Sequence, residues 1–335
     1  MKTKLIKTGV GFLKSLIFPV GMYLLFLIIT TASGKSGYFS SNAFNYIFGQ
    51  SVLSTVVALA IAIPLSGGRW DFATGTIAVL GGIIGTNLGI AMGLNSIGIL
   101  ALMIIVCVAL AVIEGLLYIF TRVSTIIVSL GVVMIYEALT NVLFDGQGAQ
   151  LYTHPDLIVI AQAPWSYVIL VVVMALVYFF LGHTRFGYDT RSLGSNARLA
   201  INNGVNEKKN ILLTYVMVGA LLGVAAMLNA AKGNIAPASN LSSTSLMFSS
   251  MGPVLIGLFL SRYSNLPLGV FMGAIGMTSM SYGMVVLGID SSIQTIVLGV
   301  IIVLIMAYTS NSDKLSGAVA TLRARLSKKK TAEQQ

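Results

Sequence analysis

Apolar runs that lack Asp, Glu, Lys and Arg alternate with short polar stretches along most of the chain, among them 72–113, 157–184 and 233–261. A transmembrane helix needs about 20 mostly apolar residues, so each of these runs holds at least one span. Segments of about 10 residues with alternating polarity, which indicate a transmembrane β-barrel, are not visible. Divided at charges, glycine–proline clusters and polar loops, the pattern predicts ten transmembrane helices at 15–33, 47–66, 72–92, 97–119, 123–143, 163–181, 210–231, 248–261, 267–288 and 292–309.

The composition agrees with this pattern. Of the 335 residues, 56% are hydrophobic and 9% are charged, whereas a soluble domain carries roughly 25% charged residues. The net charge of +10 would indicate nucleic-acid binding only if the basic residues shared one water-exposed face. They flank the apolar runs instead, so we expect the lipid bilayer and no nucleic acid as a partner. The sequence therefore predicts an all-α polytopic membrane protein.

The basic residues also predict the orientation of the chain. With the N-terminus in the cytoplasm and ten alternating spans, 18 of the 20 Lys and Arg residues lie inside, and only Lys35 and Lys232 lie outside, as the positive-inside rule requires. The first run is long enough to span, so we expect a retained helix rather than a cleaved signal peptide. Both termini are thus predicted to be cytoplasmic, with a transmembrane domain over 1–312, a long cytoplasmic loop over 182–210 and a basic tail over 313–335.

Residues that could carry catalysis or hold a metal are few and far apart. His154 and His183 fall on opposite sides of the membrane, and Cys107 is the single cysteine, so the sequence predicts neither a metal site nor a nucleophile–base pair. A glycine-rich phosphate-binding loop is also missing from the sequence. We therefore expect a chain that is not an enzyme, that has no cofactor of its own, and whose use of ATP, if any, depends on a partner subunit.

Two breaks in the apolar pattern are candidates for a translocation pathway, one at 64–75 and one at 249–253. A membrane tolerates interrupted helices only beside protein or a water-lined cavity, and paired interruptions in two halves of a chain point to a midplane pathway. An ordinary short loop is the alternative for each break. The candidate pathway residues in the two breaks are Gly67, Gly68, Asp71, Gly75, Gly252 and Pro253. Four further glycines favour close helix packing instead, namely Gly257, Gly269, Gly273 and Gly276.

Two carboxylates lie inside predicted spans, where ionisable side chains are costly and often functional. Glu114 is near the inner end of the fourth span, so we expect its side chain to reach the membrane surface, with a pathway role as the alternative. Glu137 lies roughly 10 Å from the outer end of the fifth span and one helical turn from Asn141. We count Glu137 and Asn141 as candidate pathway residues, and a protonated, hydrogen-bonded packing role for Glu137 is equally open.

The cytoplasmic loop contains a predicted short helix. Asn196 can cap its start, residues 197–203 form about two turns, and Gly204 can end it in the left-handed conformation. Arg198 lies on its polar face. A capped amphipathic helix on such a loop suits docking into another protein, and a helix lying on the lipid surface is the alternative. The opposite, mostly apolar face contains Ala197, Ala200, Ile201 and Gly204.

Two segments resemble one known family. The loop reads Thr184-Arg185-Phe186-Gly187, then Gly194-Ser195-Asn196-Ala197-Arg198-Leu199-Ala200, then Asn203-Gly204-Val205. It resembles the coupling loop of ABC-transporter permeases for monosaccharides, which reads T-R-F-G, then G-x-N-x-x-A-A, then G-[IV]. The segment from Gly67 to Gly75 resembles the family motif G-G-I-D-L-S-x-G, with Arg69-Trp70 in place of one residue and Ala73 in place of serine. The resemblance covers about residues 45 to 312 and fades at 254–262, where a glycine-rich turn of the family is missing.

The resemblance implies the ABC importer permease fold in a multi-pass protein of the cytoplasmic (inner) membrane. It implies a subunit that moves a monosaccharide or a related small polar solute inward by alternating access. Three partners follow from it: an ATP-binding cassette subunit that binds the ATP, an extracytoplasmic solute-binding protein, and a second permease copy or paralogue. A nucleoside or branched-chain amino-acid permease, or an ion-coupled secondary transporter that uses Glu137, is the alternative. The residues implied in coupling to the ATPase are Gly187, Gly194, Asn196, Ala197, Arg198, Ala200 and Gly204.

Overall fold

The computed structural model describes residues 2–261, 264–304 and 307, with side chains from residue 11 onward. This part of the chain is built from α-helices. In chain order they are α1 (Lys2–Ala32), α2 (Ser41–Ser66), α3 (Thr74–Ala91), α4 (Ser96–Thr121), α5 (Thr125–Val142), α6 (Trp165–His183), α7 (Arg185–Ser195), α8 (Ala197–Asn202), α9 (Glu207–Ala230), α10 (Thr244–Leu260), α11 (Leu266–Val286) and α12 (Ser291–Leu304). Three short 3₁₀ turns lie between α5 and α6, at Leu143–Gly146, Leu151–Thr153 and Val159–Ala161.

Each of the ten predicted spans corresponds to one helix, and the all-α polytopic fold is confirmed. Eight of the described helices are long and apolar enough to cross a membrane, namely α1 to α6, α9 and α11. The helices α10 and α12 are apolar but shorter. Residues Met1–Ile289 form one compact unit, and α12 belongs to a second. The predicted domain boundary at 312 and the basic tail over 313–335 lie outside the described residues.

The helices of the first unit divide into central and peripheral ones. Two-thirds or more of the residues in the apolar windows of α2, α3, α9 and α11 are buried, against a third or less in α1, α4, α5 and α6. The outer faces of the peripheral helices carry exposed apolar side chains such as Leu13, Ile105 and Phe120. Because lipid tails solvate such side chains, this exposed surface is the one that faces the bilayer.

Glycines allow the peripheral helix α4 to approach the central helix α9 closely. An ideal Cβ on Gly219 of α9 would lie 2.5 Å from Cα of Val108 in α4, and one on Gly115 of α4 would lie 2.7 Å from the ring of Tyr215 in α9. Helix association in a membrane relies on such small residues, since apolar burial gives little driving force there. The close packing predicted for four glycines of α10 and α11 is confirmed. Gly257 lies against Val270, Gly269 against Gly257, Gly273 against Pro253 and Gly276 against Phe18.

The helix α7 is the element that the sequence pattern did not predict. It contains two glycines and few apolar residues, and the whole of 182–195 was therefore expected to be loop. Thr184 caps α7, and its hydroxyl accepts a hydrogen bond from the amide of Gly187 at 3.5 Å. The helix exists because three of its residues are buried against the transmembrane helices: Gly187, Thr190 and Leu193.

We predict that Gly219→Ala destabilises the protein, because the added methyl group would push α4 and α9 apart. Overpacking of this kind costs about 1–3 kcal/mol and lowers the thermal unfolding midpoint of the detergent-solubilised protein. Gly131→Ala in α5 is the matched control. Its Cβ would meet nothing within 4 Å, so the same substitution there stabilises the helix by up to about 1 kcal/mol. Equal midpoints for the two variants would contradict the packing described for α4 and α9.

Candidate functional site

The helices α3 and α10 begin against each other. A Cβ on Gly75, in the first turn of α3, would collide with the carbonyl oxygen of Ser243, the residue before α10, and the hydroxyl oxygens of Thr76 and Ser243 lie 2.6 Å apart. In the predicted orientation α3 starts from the cytoplasmic side and α10 from the outer side. They contain 18 and 17 residues, about 25–27 Å at 1.5 Å per residue, less than the ~30 Å hydrocarbon core. Because the two helices run in opposite directions from their meeting point, the predicted orientation places that point within the membrane.

A carboxylate from α5 binds the start of α10. The Oε2 atom of Glu137 accepts a hydrogen bond from the amide of Leu241 at 2.8 Å, and Oε1 accepts from the amide and the hydroxyl of Ser243 at 2.9 and 2.6 Å. An anion at this position is stabilised by the positive end of the helix dipole. Of the two roles left open by the sequence, the structure gives Glu137 hydrogen-bonded packing contacts. Its membership of the pathway stays a prediction.

A second carboxylate binds the start of α3. The Oδ1 atom of Asp71 accepts a hydrogen bond from the amide of Ala73 at 2.8 Å. The Oδ2 atom of Asp71 and both carboxyl oxygens of Glu114 in α4 are buried and have no hydrogen-bond partner among the described residues. The expectation that Glu114 reaches the membrane surface is wrong, because Glu114 is fully buried beside Asp71.

The segment between α9 and α10 returns into the protein and is held there by α5. The side-chain amide of Asn141 donates to the carbonyl of Ala238 at 2.7 Å, and the hydroxyl of Thr140 accepts from the amide of Ala238 at 2.9 Å. Asn240 and Leu241 have φ angles of 54° and 62°, which are unfavourable for a side chain such as leucine. The contacts from α5 maintain this conformation. The structure thus brings three of the eight predicted pathway residues together around one segment: Gly75, Glu137 and Asn141.

An exposed polar face begins just before α10 and continues along its first two turns. Ser242, Ser245 and Ser249 are exposed at intervals of three and four residues. Phe248 on the same stretch is 50% exposed, and its ring makes an edge contact with Phe72 at a centroid distance of 5.9 Å. Hydroxyl groups are unfavourable against lipid, so this face borders water or another protein. The sequence argument did not identify this face, although the serine spacing is visible in the sequence.

The predicted second break is wrong. The helix α10 continues through Gly252 and Pro253, and both residues are buried. A Cβ on Gly252 would lie 2.5 Å from the methyl group of Met277 in α11, and Pro253 contacts Gly273. Close packing against α11 supports the helix at the proline, as neighbouring helices commonly do. The real interruption in this half is the segment between α9 and α10.

The first break contacts the cytoplasmic loop directly. Gly68 has a φ angle of 75°, and its Cβ would lie 3.5 Å from Cα of Gly194, at the end of α7. A Cβ on Gly194 would in turn collide with the carbonyl oxygen of Ser66, the last residue of α2. Gly67 lies close to the methyl group of Thr190. Only glycines permit this backbone contact between α2 and α7, and so the loop is seated on the break.

The predicted short helix is confirmed as α8. The Oδ1 atom of Asn196 accepts a hydrogen bond from the amide of Leu199 at 3.1 Å, and Gly204 ends the helix with a φ angle of 87°. The amides of Gly204 and Val205 donate to the carbonyls of Ile201 and Ala200, which is the Schellman pattern. Of the predicted apolar face only Ala200 is buried. The side chains that α8 exposes include Ala197, Arg198, Leu199 and Ile201.

The predicted outer lysine Lys232 lies beside α2. Its Nζ donates to the carbonyl of Gly49 at 3.0 Å and to Oε1 of Gln50 at 2.8 Å. Desolvation of the ammonium group lowers the pKa of Lys232 from its usual value to about 8. At a pH of 7 to 8 a larger fraction of Lys232 is therefore the neutral, nucleophilic amine than for an ordinary lysine.

We predict that Lys232 reacts with a membrane-impermeant amine-acylating reagent in intact cells, and that labelling rises as the pH increases through about 8. The readout is mass spectrometry of the labelled peptide in a Lys35→Arg background, with Lys232→Arg as the control that removes the signal. Labelling that rises only near pH 10.4, the value of an ordinary lysine, would contradict the desolvated position. The absence of labelling from outside would contradict the orientation.

Comparison with known proteins places the chain in a family. The sequence model of the family described as "Branched-chain amino acid transport system / permease component" matches residues 43–306. The galactose/methyl galactoside import permease protein MglC of Escherichia coli strain K12 is 25% identical over 287 residues, which cover 79% of this chain and 85% of that protein. The ribose import permease protein RbsC of the same strain is 22% identical over 290 residues, 84% of this chain and 89% of that protein.

A third relative, the D-allose transport system permease protein AlsC of the same strain, is 22% identical over 299 residues, 86% of this chain and 90% of that protein. No solved structure gives a significant match. Because the family match covers well over half of the chain and the fold consists of apolar membrane-spanning helices, this protein belongs to the permease components of the branched-chain amino acid transport system family.

Proposed function

We propose that this chain is the membrane-spanning subunit of an ATP-driven importer that moves a monosaccharide or a related small polar solute into the cell. The observation that carries the proposal is α8, a helix with both ends capped and most of its side chains exposed, on a loop seated directly on the break between α2 and α3. The relatives named for galactose, ribose and allose transport support a sugar as the solute, while the family description leaves a branched-chain amino acid as the alternative.

We place the translocation pathway along the exposed face of α10. Phe72 and Phe248 offer aromatic surface there, and the neighbouring serines offer hydroxyl groups. A sugar ring has apolar C–H faces and a polar rim, so an aromatic wall with a few hydroxyl groups is a suitable surface for its passage. The pathway candidates lie behind this wall and shape it; they belong to the break between α2 and α3, to α5 and to the buried side of α10: Gly67, Gly68, Asp71, Gly75, Glu137, Asn141, Gly252 and Pro253.

The partners follow from the same proposal. An ATP-binding cassette subunit would bind the ATP and receive α8, so the permease itself needs no cofactor. An extracytoplasmic solute-binding protein would deliver the solute to the outer side. A second permease copy or paralogue would complete the pathway opposite the exposed face of α10. Directional transport requires that the affinity for the solute differ between the outward-open and inward-open states, and ATP binding and hydrolysis would drive the exchange between them.

The proposal is tested by a mild-detergent pull-down of the chain from its native membrane together with uptake assays. We expect an ATP-binding subunit to co-purify with the chain. The uptake assays compare radiolabelled ribose, galactose, allose and leucine as solutes. Uptake that depends on this chain should stop when arsenate depletes ATP at a constant proton gradient.

A chain that purifies alone, with uptake that survives ATP depletion and stops with a protonophore, would refute the ATP-driven importer. It would favour an ion-coupled transporter, for which Glu137→Gln would abolish uptake. Uptake of leucine with no sugar transported would refute the solute class and leave the importer standing.

We predict that Gly204→Val weakens binding of the ATPase subunit. The φ angle of 87° at Gly204 is costly for a β-branched residue, by roughly 1–2 kcal/mol for the left-handed region, so the end of α8 would unwind. Gly204→Asn is the matched control, since asparagine tolerates this conformation. The ratio of ATPase subunit to permease after co-purification measures the effect, and equal ratios for the two variants would count against α8 as the docking element.

A further inference from the structure

A chain of buried hydrogen bonds joins the cytoplasmic loop to the break between α2 and α3. The Nη1 atom of Arg69, in the break, donates to Oδ1 of Asn210 in α9 at 3.1 Å. The Nδ2 atom of Asn210 donates to the hydroxyl oxygen of Thr190 in α7 at 2.9 Å, and this hydroxyl donates to the carbonyl of Phe186 at 2.8 Å. Arg69, Asn210 and Thr190 are all at most 4% exposed.

The burial of Arg69 restricts the relative movement of the helices that these hydrogen bonds join. A buried guanidinium needs polar partners for its donors, and no carboxylate lies within 4.0 Å of the Arg69 guanidinium among the described residues. Arg69 is therefore held by its hydrogen bond to Asn210 rather than by a salt bridge. A hydrogen bond has a narrow range of distance and angle. A shift of α7 relative to the break therefore breaks a hydrogen bond of Asn210, either the one to Thr190 or the one to Arg69.

Backbone contacts support the same connection. Gly194 packs against the end of α2, and Gly67 packs against Thr190. On the other side of the break, Asp71 follows Arg69 by two residues and binds the amide of Ala73 at the start of α3. The start of α3 in turn touches Ser243. A displacement of α7 is thus transmitted through contiguous contacts to the junction of α3 and α10.

We propose that the Thr190–Asn210–Arg69 chain is the joint that transfers movement from the ATPase-docking loop to the start of α3. This inference rests on the proposed function and deepens it. The loop carries two helices with different tasks: α8 presents the docking surface, and α7 passes the displacement to the break. Thr190, Asn210 and Arg69 are positioning residues, because they act through α3 and do not contact the solute.

The sequence offers a matched pair of threonines for the test. Thr190 and Thr214 are both fully buried, and each donates its hydroxyl proton to the carbonyl four residues earlier, at 2.8 Å in both cases. Only Thr190 also accepts a hydrogen bond from Asn210. Thr190→Val and Thr214→Val therefore remove the same group and the same local bond, and they differ in the link between α7 and α9.

The measurement is the number of ATP molecules hydrolysed per solute molecule transported, with the purified complex in proteoliposomes. We expect Thr190→Val to bind the ATPase subunit normally and to raise this number about fivefold, the factor that corresponds to one hydrogen bond of about 1 kcal/mol. Thr214→Val should leave the number unchanged, and Thr190→Ser, which keeps the hydroxyl, should restore it.

A second variant keeps the test decisive if Thr190→Val fails to fold. Asn210→Leu removes the central amide, which joins Arg69 to Thr190, and should uncouple transport in the same way. Equal coupling in Thr190→Val and Thr214→Val would overturn the joint. Failure of the unaltered complex to show ATP-driven uptake would instead refute the proposed function, and the joint with it.

Discussion

The lack of water in the bilayer core is the constraint on which the rest of this structure depends. A helix that starts inside the membrane leaves amide groups that cannot be hydrogen-bonded by solvent. In the predicted orientation α3 and α10 both start in the interior, and each start is bound by a buried carboxylate, Asp71 for α3 and Glu137 for α10. Each carboxylate accepts a hydrogen bond from the amide of the residue just before its helix, Ala73 for α3 and Ser243 for α10, at the positive end of the helix dipole. The two acids are therefore structural conditions for a helix junction within the membrane.

The junction determines where polar surface is available. Asp71, Glu137 and Thr140 are buried and hold backbone groups, so they are not free to bind a passing solute. The exposed polar side chains near the junction include Asn141 of α5, Ser242 just before α10, and Ser245 and Ser249 in α10. This division, with buried acids that position helices and exposed hydroxyl groups on a helix face, suits a pathway that passes neutral polar molecules and binds none of them tightly.

The same junction is linked to the cytoplasmic side by the break between α2 and α3. Glycines let α7 lie directly on the break, and the buried Arg69 is joined through Asn210 to Thr190. The chain replaces one residue of the family motif by Arg69-Trp70, and the structure gives a role to the first of these two, since Arg69 makes the hydrogen bond to α9. Trp70 has no structural explanation here. The link joins two regions that are distant in the sequence but contiguous in space.

The sequence by itself determined the ten apolar helices, the exclusion of a soluble fold, and the capped helix α8, because each depends on interactions within a few residues: hydrophobic length, charge at helix ends and a cap with its terminating glycine. Only the tertiary structure decided that α7 is a helix, that Glu114 is buried against Asp71, and that α10 continues through Pro253. Those outcomes depend on partners distant in the sequence: Glu137 and Ser243 are 106 positions apart, and Arg69 and Asn210 are 141 positions apart. Local periodicity carries no information about which distant groups will meet, and in a membrane interior those meetings decide where each polar group can be placed.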